Sequence, residues 1–121
     1  MSSYVVWIDT AHAKIFALTP EGIKSEEVKD SHHEHHGFNP RDEHRDHEKF
    51  YHTVAGKLNT AVELLVVGPG VAKTQFKHHL DKHHHQNLAS KVLAVESMDH
   101  PTDGQILDHA KRFFKHAHLF T

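Results

Sequence analysis

Residues 61–76, AVELLVVGPGVAKTQF, decide the fold. Four consecutive apolar residues, Leu64-Leu65-Val66-Val67, with Val62 just across Glu63, run directly into Gly68-Pro69-Gly70. An alternating pattern would mark a strand with one wet face. An unbroken apolar run closed by Gly and Pro marks a strand covered on both faces, as central parallel strands are. Ala72, Phe76 and Leu80 then recur at helical spacing and predict a crossover helix that closes near His83-His84-His85. That helix leads to a second apolar run, Lys91 to Val95, which should lie parallel to the first and be joined to it right-handedly.

Upstream, Tyr4-Val5-Val6-Trp7-Ile8 is a β-branched and aromatic run that predicts a central first strand, with Asp9 to His12 as its turn. Ala13 to Leu18 reads as a second strand, and Thr19-Pro20-Glu21-Gly22 supplies a hairpin turn. The third strand, Ile23 to Val28, is mostly polar and suits a sheet edge protected by charge. Residues 29–39 lack apolar periodicity and predict an exposed loop. Asn39 then offers a helix cap, with Pro40 at the first helical position where its missing N–H costs nothing. Phe50, Val54, Leu58 and Ala61, helped by Tyr51 and Ala55, give a helix over Pro40 to Asn59 its apolar stripe. Near the end, Thr102 and Gln105 have the spacing of a capping box, and Ile106, Ala110, Phe113, Phe114 and Ala117 form the core face of a last helix. The order βββαβαβα predicts an α/β fold. It combines a three-stranded antiparallel meander with two parallel strands in one mixed five-stranded sheet, order 3-2-1-4-5, with helices on both faces. This is the ribonuclease-H-like topology, expected here as a single domain over residues 1–121.

A chain of 121 residues, 37% hydrophobic, is long enough for one core without staples. With no cysteine it has neither disulfides nor thiolate metal sites. The apolar segment Tyr4 to Ile8 is too short for a membrane span or a signal-peptide core, so the expectation is a cytoplasmic protein with no membrane partner. The formal charge of −2 conceals 17 histidines. With a reference pKa of about 6.5, these side chains make the chain strongly cationic below about pH 6. At neutral pH no general basic excess advertises nucleic acid, so any RNA contact must use a local patch.

The His-rich loop carries the most pronounced chemical pattern. Neutral imidazole ligates zinc, nickel or copper, and His32, His33, His35 and His36 supply several ligands within a few residues. On the following helix His44, Glu48 and His52 are spaced four apart and form an imidazole–carboxylate–imidazole ridge beside the loop. The competing reading is a polar loop that takes up zinc or nickel only opportunistically, with no cofactor required. His47 extends the Phe50 and Val54 face as a packing or subunit-contact residue. A second cluster, His78, His79, His83, His84 and His85, includes a chelating pair at His79 and His83, but cationic residues are favoured at a helix C-terminus in any case.

Lys111, Arg112 and Lys115, with His116 and His118, make a candidate RNA-binding patch on the last helix; the bland alternative is a solvated face. Gly68 and Gly70 with Lys73 suggest phosphate binding at a helix N-terminus, against a simple strand-to-helix turn. They do not form a Walker loop, which has more residues between its glycines and a Lys-Ser/Thr ending. A two-metal nuclease needs several carboxylates around its ions. Asp9 and Glu43 or Glu48 are the only candidates in suitable elements, and Val66-Val67-Gly68 adds none. Nucleophilic catalysis has no cysteine and no Ser-His-Asp grouping at known spacing to build on.

The element order and the phrases VVWIDTAHAKIFAL, LLVVGPGVAK and ESMDHPTDGQ resemble the middle domain of archaeal and eukaryotic peptide release factors and Pelota. They are also similar to small bacterial proteins known as translational machinery proteins. The resemblance spans nearly the whole chain. Its most specific pieces are Val66-Val67-Gly68-Pro69-Gly70 with Lys73, and Asp99 to Gln105, which define shape rather than chemistry. It implies association with the ribosome, rRNA or tRNA. In release factors the loop after the third strand carries a Gly-Gly-Gln tripeptide that positions water for peptidyl-tRNA hydrolysis. Here that loop reads His32-His33-Glu34-His35-His36-Gly37-Phe38, and Gly104-Gln105 lies at a helix start elsewhere in the topology. The expectation is therefore a non-catalytic domain binding ribosome or structured RNA. The alternatives are a histidine-rich metal-binding or metal-sensing protein, or a homo-oligomer whose histidines titrate at an interface.

Overall fold

The computed structural model of the chain describes residues 2–30, 40–83 and 87–119, with side chains described from residue 48 onward in the first helix and to residue 118 in the last. Its elements are β1 (Ser2–Ile8), β2 (His12–Thr19), β3 (Gly22–Lys29), α1 (Pro40–Gly56), β4 (Ala61–Gly68), α2 (Ala72–His83), α3 (Leu88–Lys91), β5 (Val92–Ser97) and α4 (Asp103–Leu119). The strands form one sheet in the expected order β3-β2-β1-β4-β5. β1 and β2 are antiparallel, as are β2 and β3, whereas β4 runs parallel to both β1 and β5.

Strand pleating divides the core in two. Val6, Ile8, Leu64 and Val66 point to one face, where they meet Phe50, Tyr51, Val54 and Leu58 of α1 and its exit turn, Phe76 and Leu80 of α2, and Leu88 of α3. Val5, Trp7, Leu65 and Val67 point to the other face, against Ile106, Ala110 and Phe114 of α4. The run Leu64 to Val67 thus has no wet face, all four residues being fully buried, whereas Val62, across Glu63, is exposed at the entry of β4. β3 is one edge of the sheet, exposed except at Val28, and its Glu26 pairs with Lys57 at 2.9 Å.

The main differences from the sequence reading lie at the end of α1 and ahead of β5, the first three strands being longer by one or two residues. α1 stops at Gly56 rather than Asn59 because the chain tightens there: the N–H groups of Lys57 and Leu58 donate to Val54 and Ala55 three residues back, each at 3.0 Å. A short helix, α3, precedes the last strand. It starts from Asn87, whose φ of 62° is left-handed and tolerated by Asn, and Ser90 Oγ donates back to the Asn87 carbonyl at 2.7 Å. β5 consequently begins at Val92 rather than Lys91, and it runs on through Glu96 and Ser97, which continue the parallel ladder opposite Val67 and Gly68.

The connection into α4 is anchored by Trp7. Its indole Nε1 donates to the carbonyls of Met98 and Asp99 at 3.2 and 3.1 Å, and His100 packs against the ring at 5.8 Å. The capping box forms as its spacing predicts: Gln105 N–H donates to Thr102 Oγ1 at 3.2 Å, and Gln105 Oε1 accepts from the Thr102 N–H at 2.9 Å. Lys14 Nζ reaches Asp103 at 2.9 Å and ties β2 to the same helix start. Further along, His109 meets Glu96 of β5 and His118 meets Glu63 of β4, each at 2.7 Å.

Candidate functional site

The carboxyl ends of β1, β4 and β5 lie at one end of the sheet, where α2 and α4 begin. Gly68 ends β4 there. A Cβ built on it would sit 2.1 Å from the Ile8 carbonyl oxygen, so only glycine lets β4 approach β1 this closely. Gly70 has φ +58° and open space around it; its glycine serves the turn conformation. Lys73 Nζ donates to the Gly70 carbonyl and closes the same turn. All three residues of this candidate phosphate site therefore carry structural tasks.

Lys111, Arg112 and Lys115 are exposed on α4, which covers the opposite face of the sheet from α2. The structure does not bring them together with Lys73. Arg112 pairs with Asp108 one turn earlier at 3.2 Å. Beyond Asp108, the described part of the helix holds Lys111, Arg112, Lys115, His116 and His118 and no acidic residue, so its C-terminal half is a locally basic surface.

Of the candidate metal ligands, His32, His33, His35 and His36 lie outside the described residues, as do Asn39 and the side chains of His44 and His47. Glu48 is exposed and faces Lys82 of α2 at 3.7 Å. His52 also faces α2, its ring edge-on to His79 with centroids 6.3 Å apart. His79 is the only buried polar residue among those described, 5% exposed. It packs beside Tyr51, centroids 5.8 Å apart, and is tilted against His83 at 4.4 Å. The sequence separates His79 from His83 by one helical turn and so exposes the pair. Only the packing of α1 on α2 adds His52 and Tyr51.

Tyr51 is 4% exposed. Its hydroxyl donates to Gln75 Oε1 at 3.0 Å. Burial, reinforced by the Asp30 carboxylate, pushes the phenol up from 10.0 to about 12. The nuclease candidate Asp9 is a turn residue: its Oδ1 accepts from the N–H groups of Ala11 and His12 at 2.8 and 2.6 Å.

No protein-family model and no curated protein sequence matches the chain. Solved structures do. Pelota of Archaeoglobus fulgidus is 21% identical with a TM-score of 0.64, the match covering 92% of this chain and 31% of that one. The archaeal translation termination factor aRF1 is 16% identical with a TM-score of 0.60, covering 98% of this chain and 40% of the other. Dom34 of S. cerevisiae, a translation termination-like factor involved in RNA quality control, is 10% identical with a TM-score of 0.57, covering 88% and 31%. This chain thus spans roughly a third of each structure's length. No helix among the described residues is long and apolar enough to cross a membrane. At these identities the likeness is one of fold: the chain has the fold of a segment of the Pelota and termination-factor proteins that its sequence resembles.

Proposed function

We propose that this protein is a translation-associated, non-catalytic module of the cytoplasm that docks on the ribosome through rRNA or tRNA. The observation that carries the reading is the fold likeness, over most of the chain, to aRF1, a translation termination factor, and to Dom34, a translation termination-like factor. The segment that follows β3 supports the non-catalytic part, since His32 to Phe38 contains no Gly-Gly-Gln.

Lys111, Arg112 and Lys115 on α4 are the RNA-backbone contacts in this reading, because they form an exposed basic run after the last acidic residue of the helix, Asp108. Gly68, Gly70 and Lys73 shape the β4–α2 turn and contribute to RNA only indirectly. Up to three phosphate contacts make log K fall with log salt at a slope of about 2 to 3. Binding of the untagged protein to structured RNA across a salt series tests this. Replacing Lys111, Arg112 and Lys115 with alanine should weaken binding and flatten the slope; an unchanged affinity and slope would remove α4 from the interface.

A further inference from the structure

α4 meets the carboxylates of the sheet with histidines and keeps its stronger cations for solvent. Glu96 of β5 and Glu63 of β4 are contacted by His109 and His118, each at 2.7 Å. Lys111, Arg112 and Lys115 are all exposed. Lys111 and Lys115 stand one turn apart on the same face of the helix, and Arg112 is held by Asp108 at 3.2 Å. We propose that this surface binds the sugar–phosphate backbone of duplex RNA, a stem, in preference to an unpaired strand. The inference rests on the RNA reading above and names the class of RNA.

Two features lead to a duplex. The first is what the surface is made of. Proteins that hold unpaired RNA stack its bases on exposed aromatic rings beside a basic groove. Here the described Phe, Tyr and Trp side chains are committed to the interior. Trp7, Phe16, Phe50, Tyr51, Phe76 and Phe114 are buried. Phe113 is half-buried beside the α4 core, edge-on to Phe114 at 5.5 Å. Tyr4 packs on the opposite face of the sheet, its hydroxyl 2.8 Å from Thr60 Oγ1.

The second feature is shape. α4 is a helix of 17 residues lying on the sheet, a convex rod about 25 Å long. A convex rod cannot enclose a strand and splay its bases. It can lie against the wide, shallow minor groove of an A-form helix, where phosphates and 2′-hydroxyls are within reach. Two strands of phosphate give the duplex the higher charge density, and a surface that recognises by cations alone follows charge density. Asp103 and Asp108 lie in the first part of the helix, so the stem is placed against the part from Lys111 onward. Phosphate contacts carry no sequence information, so the stem's sequence should not matter.

The test uses the untagged full chain and RNA probes of equal nucleotide count: a hairpin with a fully paired stem, a second hairpin with a scrambled stem, and an oligouridine, which stays unpaired. Fluorescence anisotropy reads binding at low salt with a chelator present, so that metal held by histidines plays no part. The expected result is that both hairpins bind at least about fivefold more tightly than the oligouridine. The preference should disappear in a K111A/R112A/K115A variant, whose folding is checked by circular dichroism; all three positions are exposed, so the core is spared. Equal or tighter binding of the oligouridine, a preference confined to one stem sequence, or a hairpin preference kept by the triple variant would each overturn the inference and leave RNA docking standing. Failure of the native protein to bind any of the three RNAs would overturn both the inference and the RNA reading beneath it.

Discussion

Gly68 stands against the backbone of Ile8 with no room for a side chain: a Cβ at Gly68 would lie 2.1 Å from the Ile8 carbonyl oxygen. The obstacle is backbone in the neighbouring central strand, which has no rotamer to move. Gly68→Ala should destabilise the protein by at least about 3 kcal/mol, because β1 and β4 must separate where both are fully buried. Gly70→Ala, in open space with φ +58°, should cost only about 1 kcal/mol. Urea denaturation of the two variants checks the contrast. Equal losses would mean that the turn, not the strand contact, sets the glycine requirement.

Alkaline pH should act through Tyr51. Its phenol rises from 10.0 to about 12 on folding, first because it is buried and then because Asp30 is near. A raised value means that the folded state holds its proton more tightly than the unfolded state does. The associated stability is therefore complete below pH 10 and is lost progressively as pH climbs toward 12, by about 2 to 3 kcal/mol in all. Tyr51→Phe removes this pH-dependent term, together with the hydrogen bond to Gln75. Denaturation curves at successive pH values above 10 should slope less in the variant than in the native protein; parallel slopes would show that Tyr51 is not the group responsible.

At the start of α4, Thr102→Ala breaks the reciprocal pair with Gln105 and should cost about 1 kcal/mol. Thermal denaturation would record this as a lowered Tm. A Tm unchanged by the substitution would mean that Lys14–Asp103 and the Trp7 contacts suffice to hold the helix start.

Most of the fold was legible because its signals are local or periodic. The run Leu64 to Val67 can be satisfied only by apolar cover on both sides, and the spacing of Thr102 and Gln105 is itself the cap. The short helix α3 was not, since four residues carry no period and its start depends on Asn87 adopting a left-handed backbone. The His79–His83 pair could be read from helical spacing, whereas His52 joins it only through the packing of α1 on α2, a relationship spanning 27 residues that no pattern in either helix encodes. Of the ridge His44, Glu48 and His52, the two members whose side chains are described both face α2, Glu48 toward Lys82 and His52 toward His79. Lys73 and the α4 cations stood in the sequence as two separate candidate sites, and the sheet places them on opposite faces.

The most direct test of the translation reading is co-sedimentation of the untagged protein with ribosomes at low and at high salt, each with zinc or with a chelator. The account predicts co-migration at low salt that is lost at high salt and survives chelation. Absence of the protein from the ribosomal fraction under every condition would contradict it.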